Sequence, residues 1–201
     1  MSSAIAYNRP ARPYQSEIEV KRSRFVADLM PLTQDPRVHI QAIRQTQPKA
    51  SHHCWAYVGD PDSTDRDSSD DGEPKGTAGK PMLAMLQGLD LGQTLVVVSR
   101  YFGGVKLGTG GLVRAYGQAV RAAIEQAELI RVEPRDRINL EFPYDQAGWV
   151  ESLRRELKAE PVESIYGERI QVVWEVEAAR GDSVRAELAA HSHLGLVLYK
   201  Q

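Results

Sequence analysis

Five glycines lie between positions 103 and 111, within the run RYFGGVKLGTGGLVRAY: Gly103, Gly104, Gly108, Gly110 and Gly111. Glycine serves where the backbone needs positive φ or close approach to a neighbour. A helix starting directly after such a loop presents N–H groups without intrahelical acceptors, which suits an anion. Lys106 and Arg114 add positive charge for a phosphate, Thr109 stands between two of the glycines, and Arg100 enters the segment from the preceding strand. Standard nucleotide loops do not fit. Gly103 and Gly108 have the Walker A spacing, but Thr109 and Gly110 occupy the places of its lysine and its serine or threonine. Gly108 and Gly110 open a dinucleotide fingerprint that fails at Val113. A purely architectural reading stays open, in which the glycines, with Gly117, allow a tight turn and close helix packing.

Three further clusters could join this loop. The segment SDDGEPKGTAGKPM, residues 69–82, sets Asp70, Asp71 and Glu73 beside Lys75, Gly76, Gly79 and Lys80 at an expected helix start, as a second wall of one site. Asp67, Ser69, Asp71 and Gly72 imitate the opening of a calcium loop, but Ala78 takes the place of the closing glutamate. In SHHCWAY, strand alternation sends His52 and Cys54 to one side and His53 and Trp55 to the other. Two local ligands are too few for zinc. His53 remains a candidate binding residue, and Cys54 reads as a core thiol. Lys21, Arg22, Arg24 and Phe25 bring three cations and an aromatic together, either as a phosphate-backbone patch or as a charged hairpin tip. No cofactor, metal ion or catalytic residue is assigned, so binding rather than catalysis is expected.

These residues need elements to position them. Residues 16–31 read as two strands joined by a hairpin around Lys21 to Arg24. Asp35 is placed to cap a helix running to about Gln45 and stopped by Pro48, and 51–59 alternates as a strand. The acidic, serine-rich stretch 60–75 reads as a surface loop. A helix follows from Thr77 or Gly79, then a buried strand TLVVVSRYF, then a helix with Leu112, Tyr116, Ala119, Val120, Ala123 and Ile124 on one face. The charged run VEPRDR at 132–137 marks a boundary between domains 1–134 and 135–201. Beyond it a strand, a helix capped by Asp145, a hairpin near Gly167, a helix capped by Asp182 and a last strand give the order βαββαβ of a ferredoxin-like sandwich. Trp149, Trp174 and Tyr166 are expected to pack between its sheet and helices. The class is α+β.

Composition sets outer limits. The chain has 201 residues, 42% hydrophobic and 26% charged, ordinary for globular domains and unlike disordered chains. Its net charge of −2 leaves no global basic footprint. Residues 1–134 hold 16 basic against 15 acidic side chains and 135–201 hold 9 against 12, so the first part is better suited to meet phosphates. With no apolar run of membrane length and no signal-type start, a cytoplasmic location without membrane association is expected. Cys54 is the single cysteine, which excludes an intrachain disulfide.

KRSRF at 21–25, SHHCWAY at 51–57, SDDGEPKGTAGKPM at 69–82 and RYFGGVKLGTGGLVRAY at 100–116 together resemble the serial motifs of the IMPACT/YigZ family. Residues 100–108 resemble its signature of an arginine, two aromatics, paired glycines, two residues, an aliphatic and a glycine. The resemblance implies an N-terminal domain like ribosomal protein S5 domain 2, a fold also seen in a translocase elongation factor and in GHMP kinases. It implies a C-terminal ferredoxin-like domain similar to the last domain of that factor. Bacterial members are suspected of binding nucleic acid. Eukaryotic members regulate translation by interfering with a starvation-responsive kinase that phosphorylates an initiation factor. Those members carry an additional N-terminal RWD domain, with no counterpart before position 16, so kinase regulation is not expected here. The family provides no established catalytic residues. Three readings follow: a translation-linked regulator contacting RNA or the ribosome, a protein holding a small phosphorylated ligand at the glycine loop, and a module binding a translation-associated protein. The oligomeric state is not legible.

Overall fold

The structure is a computed structural model and describes residues 5–61 and 63–199. The chain divides into two compact units, Ala6–Val132 and a second built from residues 133 onward. Among the described residues no helix is long and apolar enough to cross a membrane.

The N-terminal unit is built on a five-stranded antiparallel sheet. Its strands are β2 (Tyr14–Val20), β3 (Ser23–Pro31), β4 (His52–Val58), β5 (Arg66–Ser69) and β6 (Thr94–Tyr101), in the order β2-β3-β6-β4-β5. Strand β6 is central, and its apolar run TLVVVSRY is buried on both faces. One face carries α2 (Gly79–Gly88) and α3 (Thr109–Gln126), with Met82, Leu86, Leu112, Tyr116, Ala119, Val120 and Ala123 buried against Phe25, Ala27, Leu29, Cys54, Ala56, Val96 and Val98. Burial of each large apolar side chain there contributes about 1.5 to 3 kcal/mol. The other face receives α1 (Pro36–Thr46), whose Ile40 and Ile43 meet Met30, Leu95 and Val97. Asp35 caps α1 as its position suggests, its carboxylate accepting from the Arg37 N–H at 2.9 Å. A separate ribbon pairs β1 (Tyr7–Pro10) with β7 (Leu129–Val132).

The second unit has a four-stranded antiparallel sheet in the order β11-β8-β10-β9. It is formed by β8 (Arg135–Phe142), β9 (Glu160–Tyr166), β10 (Ile170–Glu177) and β11 (Val197–Tyr199). Helices α4 (Ala147–Glu156) and α5 (Gly181–Ala190) complete the order βαββαβ, and Val150, Leu153, Val184 and Leu188 close a core with Ile138, Leu140, Phe142 and Trp174.

Several local expectations are corrected. The 60–75 stretch is not all loop, because Arg66–Ser69 pairs with β4 as an edge strand. Pairing there is made by backbone groups and does not need β-branched side chains, while charge on an edge suits exposure. Asp145 does not cap α4, which starts after a short 3-10 turn Tyr144–Gln146, and Asp182 lies within the first turn of α5 rather than ahead of it. Tyr166, on edge strand β9, is 70% exposed, whereas Trp174 is buried and Trp149 packs at the core margin.

Candidate functional site

One end of the N-terminal sheet gathers the separate motifs. The β2–β3 hairpin turns on Lys21 and Arg22, at φ 46° and 67°. Positive φ at both central residues is what a two-residue turn of this handedness demands, and neither residue is a glycine. Gly103, just beyond β6, lies against that turn. A Cβ placed on it would stand 2.0 Å from the Arg22 carbonyl carbon and oxygen, so only glycine allows this approach. The Gly103 N–H donates to the Ser23 hydroxyl at 3.2 Å, fastening the glycine loop to the hairpin.

Beneath the loop runs a buried polar chain. Arg100 pairs with Glu73 at 2.6 Å, both nearly excluded from water, and Tyr116 donates to the same Glu73 oxygen at 2.8 Å. Arg100 also reaches the Ser23 hydroxyl at 3.4 Å. Removing one partner of such a pair leaves an uncompensated buried charge, a loss of about 3 to 5 kcal/mol in comparable cases. Cys54 Sγ lies 3.0 Å from the Asp70 carbonyl and 3.2 Å from the Tyr116 hydroxyl. Burial pushes the Cys54 thiol up to about 12, and burial together with Cys54 and Glu73 also raises the Tyr116 phenol. Neither group is a nucleophile or base near neutral pH.

The acidic segment is anchored from within. Asp70 accepts the backbone N–H groups of Gly76, Ala78 and Gly79 at 2.7, 2.9 and 2.9 Å, which ties the start of α2 to the loop before it. Burial acts to raise the Asp70 pKa, but those three donors and the nearby Lys80 outweigh it and hold it below its ordinary value. Asp71 accepts from the His53 N–H at 2.7 Å and pairs with Arg44 at 2.5 Å. The expectation of a surface loop over 60–75 therefore fails at Glu73, which is buried, and is weakened at Asp70 and Asp71, which are half-buried. Distant partners, invisible in local composition, draw the segment inward.

The residues singled out from sequence fall into two groups. Lys21, Arg22, Arg24, Lys75, Lys80, Gly104, Lys106, Gly108, Thr109, Gly110 and Arg114 are exposed, and Gly103 and Gly111 are half-buried. His53 and Arg100 are buried. The His53 imidazole meets the Ser99 hydroxyl at 2.9 Å, and burial, helped by the Arg44 cation, keeps its pKa below the usual histidine range. His53 and Arg100 thus hold the frame beneath the surface. Arg24 is engaged locally, 3.4 Å from Glu17 and over the Tyr101 ring at 4.2 Å. Sequence reasoning missed Ser23, Glu73 and Tyr116 as the frame's polar members. Tyr116 carries a helical-spacing signal for burial, whereas nothing around Ser23 or Glu73 announces their partners.

Above the frame, the start of α3 is open. Gly108 sits at the N-cap with φ 72°, carries no capping side chain, and accepts the first turn bond from the Leu112 N–H at 2.9 Å. The N–H groups of Thr109, Gly110 and Gly111 have no acceptor within the helix. Gly104 and Gly108 owe their identity to positive φ, at 82° and 72°, and a Cβ on either would stand in open space. A Cβ on Gly111 would come within 3.0 Å of the Leu107 Cβ. Gly110 differs from all of these. Its φ is not positive, and the nearest atom to an added Cβ is Arg114 Nη1 at 3.8 Å. Neither conformation nor packing asks for glycine at 110; what its absent side chain leaves is bare backbone beside Arg114. Along the chain its segment carries charge of one sign: between positions 91 and 124 stand Arg100, which Glu73 neutralises, with Lys106, Arg114 and Arg121, and no aspartate or glutamate.

Residues 21–124 match the model of the Impact N-terminal domain. An IMPACT family member of Haemophilus influenzae is 42% identical over 187 residues, covering 90% of this chain and 90% of its own. The Escherichia coli IMPACT family member YigZ is 38% identical over 193 residues, covering 94% and 95%. A crystal structure of a hypothetical protein, 36% identical, superposes with a TM-score of 0.75 over 98% of this chain and 97% of its own. The four motifs that meet at one end of the sheet all lie within or overlap the matched domain, and the similarity runs through both units: the chain belongs to the IMPACT family.

Proposed function

We propose that the exposed end of the N-terminal unit, formed by the Lys21 and Arg22 turn, the 103–111 loop and the start of α3, binds the phosphate backbone of RNA, and that through it the protein acts on the ribosome or another translation-associated RNA. The observation that carries this reading is the absence of acidic residues from 91 to 124, where Lys106 and Arg114 flank open helix-start amides. Fixed cations and free backbone donors suit a polyanion that follows a surface. Open space above Gly104 and Gly108 favours an extended ligand over one enclosed on all sides, which weighs against a small phosphorylated metabolite. In the same reading the N-terminal unit is similar to ribosomal protein S5 domain 2. The second unit, with its βαββαβ order and β11-β8-β10-β9 sheet, is ferredoxin-like. The protein works in the cytoplasm, and residues 1–134 and 135–201 are its functional domains.

Gel-shift and ribosome co-sedimentation at low salt test this. Binding that weakens steeply as salt rises is expected, because displaced counterions return to the RNA. No binding to RNA or ribosomes at low salt contradicts the reading. Stabilisation by a nucleotide or sugar phosphate in a thermal melt, lost in Gly110→Val, would favour the small-ligand alternative.

A further inference from the structure

Phe102 is not explained by the fold. It follows the last residue of β6 and is 52% exposed, while Phe25, its neighbour across the same guanidinium, is fully buried. Arg100 Cζ lies 5.5 Å from the Phe25 ring centre and 5.6 Å from that of Phe102. Glu73 and Ser23 fix that guanidinium, so the Phe102 ring rests against an immobile cation. Single exposed apolar residues are common. This one has a rigid seat and a cationic rim: the next residue, Gly103, touches the Lys21 and Arg22 turn, and Lys106 follows within the loop.

An exposed ring beside backbone-tracking cations is the arrangement by which proteins hold single strands. Unpaired bases stack on the aromatic face while lysine and arginine meet the phosphates. A duplex keeps its base faces covered and would use the cations alone. We infer that Phe102 is a stacking platform for an unpaired base, so that this surface selects single-stranded nucleic acid over duplex. The inference rests on the nucleic-acid reading above and adds its strand preference.

Fluorescence anisotropy with a labelled 12-nucleotide RNA, the same sequence as DNA, and the matching duplexes tests it on the full chain. The single strands are expected to bind at least about 10-fold tighter than the duplexes. Phe102→Ala should weaken single-strand binding by about 10- to 100-fold while leaving duplex binding and the thermal melt unchanged. Phe102→Trp should retain or tighten single-strand binding. Equal affinity for both forms, or a Phe102→Ala variant that binds the single strand like the parent, overturns the stacking role and leaves the nucleic-acid reading intact. Failure of the unaltered protein to bind any of the four probes overturns both.

Discussion

Asp70, Asp71 and Glu73 stand within four positions of one another, and each is taken up by a different internal task. Asp70 organises the start of α2, Asp71 ties β4 to α1 through His53 and Arg44, and Glu73 neutralises Arg100. From sequence they read as part of a surface loop and as a second wall of the site, because their partners lie up to 43 residues away and no local pattern marks them. Asp70 makes the clearest prediction. Its folded pKa is lowered, so its carboxylate contributes stability in full above the unfolded value of about 3.9 and loses it as pH falls through the folded value. Asp70→Asn should therefore cost about 1 to 3 kcal/mol at pH 7. In urea melts from pH 7 to pH 2, the gap between parent and variant should close only below about pH 3.9. A gap that stays constant over that range would show that ionisation of Asp70 plays no part.

At the scale of elements, helices were the most legible. The apolar stripe of α3, the Asp35 cap of α1 and the unbroken run of β6 all follow from local rules. The β1–β7 ribbon was not legible, since it joins residues more than a hundred positions apart and neither strand alternates clearly. The Lys21 and Arg22 turn was legible as a hairpin, but its two positive φ angles were not, in the absence of glycine or asparagine. The glycine loop was legible as a unit, although its glycines serve separate ends, and this separates two substitutions. Gly103→Ala drives a methyl into the Arg22 carbonyl and should destabilise by about 3 kcal/mol or more. Gly110→Ala meets only the end of the Arg114 side chain, at an ordinary contact distance of 3.8 Å, in a helical residue and should leave stability unchanged or raise it by up to about 1 kcal/mol. RNA affinity should nevertheless fall in Gly110→Ala as the methyl screens the helix-start amides. Thermal melts and gel shifts of the two variants check both statements; a Gly110→Ala variant that loses stability would show a packing role instead.

Across the whole molecule the charge is nearly balanced, and the second unit is the more acidic. Net composition therefore gave no sign of the proposed phosphate surface, which rests instead on the 91–124 segment, free of acids along the chain, and on the exposed Lys21 and Arg22 of the hairpin turn. What sequence could not supply was the convergence of residues 21–24, 69–80 and 100–114 at one sheet end, set by pairing of β3 and β4 with β6. The measurement that addresses this most directly is the salt dependence of single-stranded RNA binding. It should be taken for the parent protein, the double variant Lys106→Ala and Arg114→Ala, and Lys158→Ala in the second unit. Each lost phosphate contact lowers the steepness of log K against log salt by about 0.7, so the double variant should fall by about 1.4 while Lys158→Ala keeps the parental slope. A parental slope in the double variant, with the loss appearing in Lys158→Ala, would contradict the assignment of the RNA surface to the glycine-loop end.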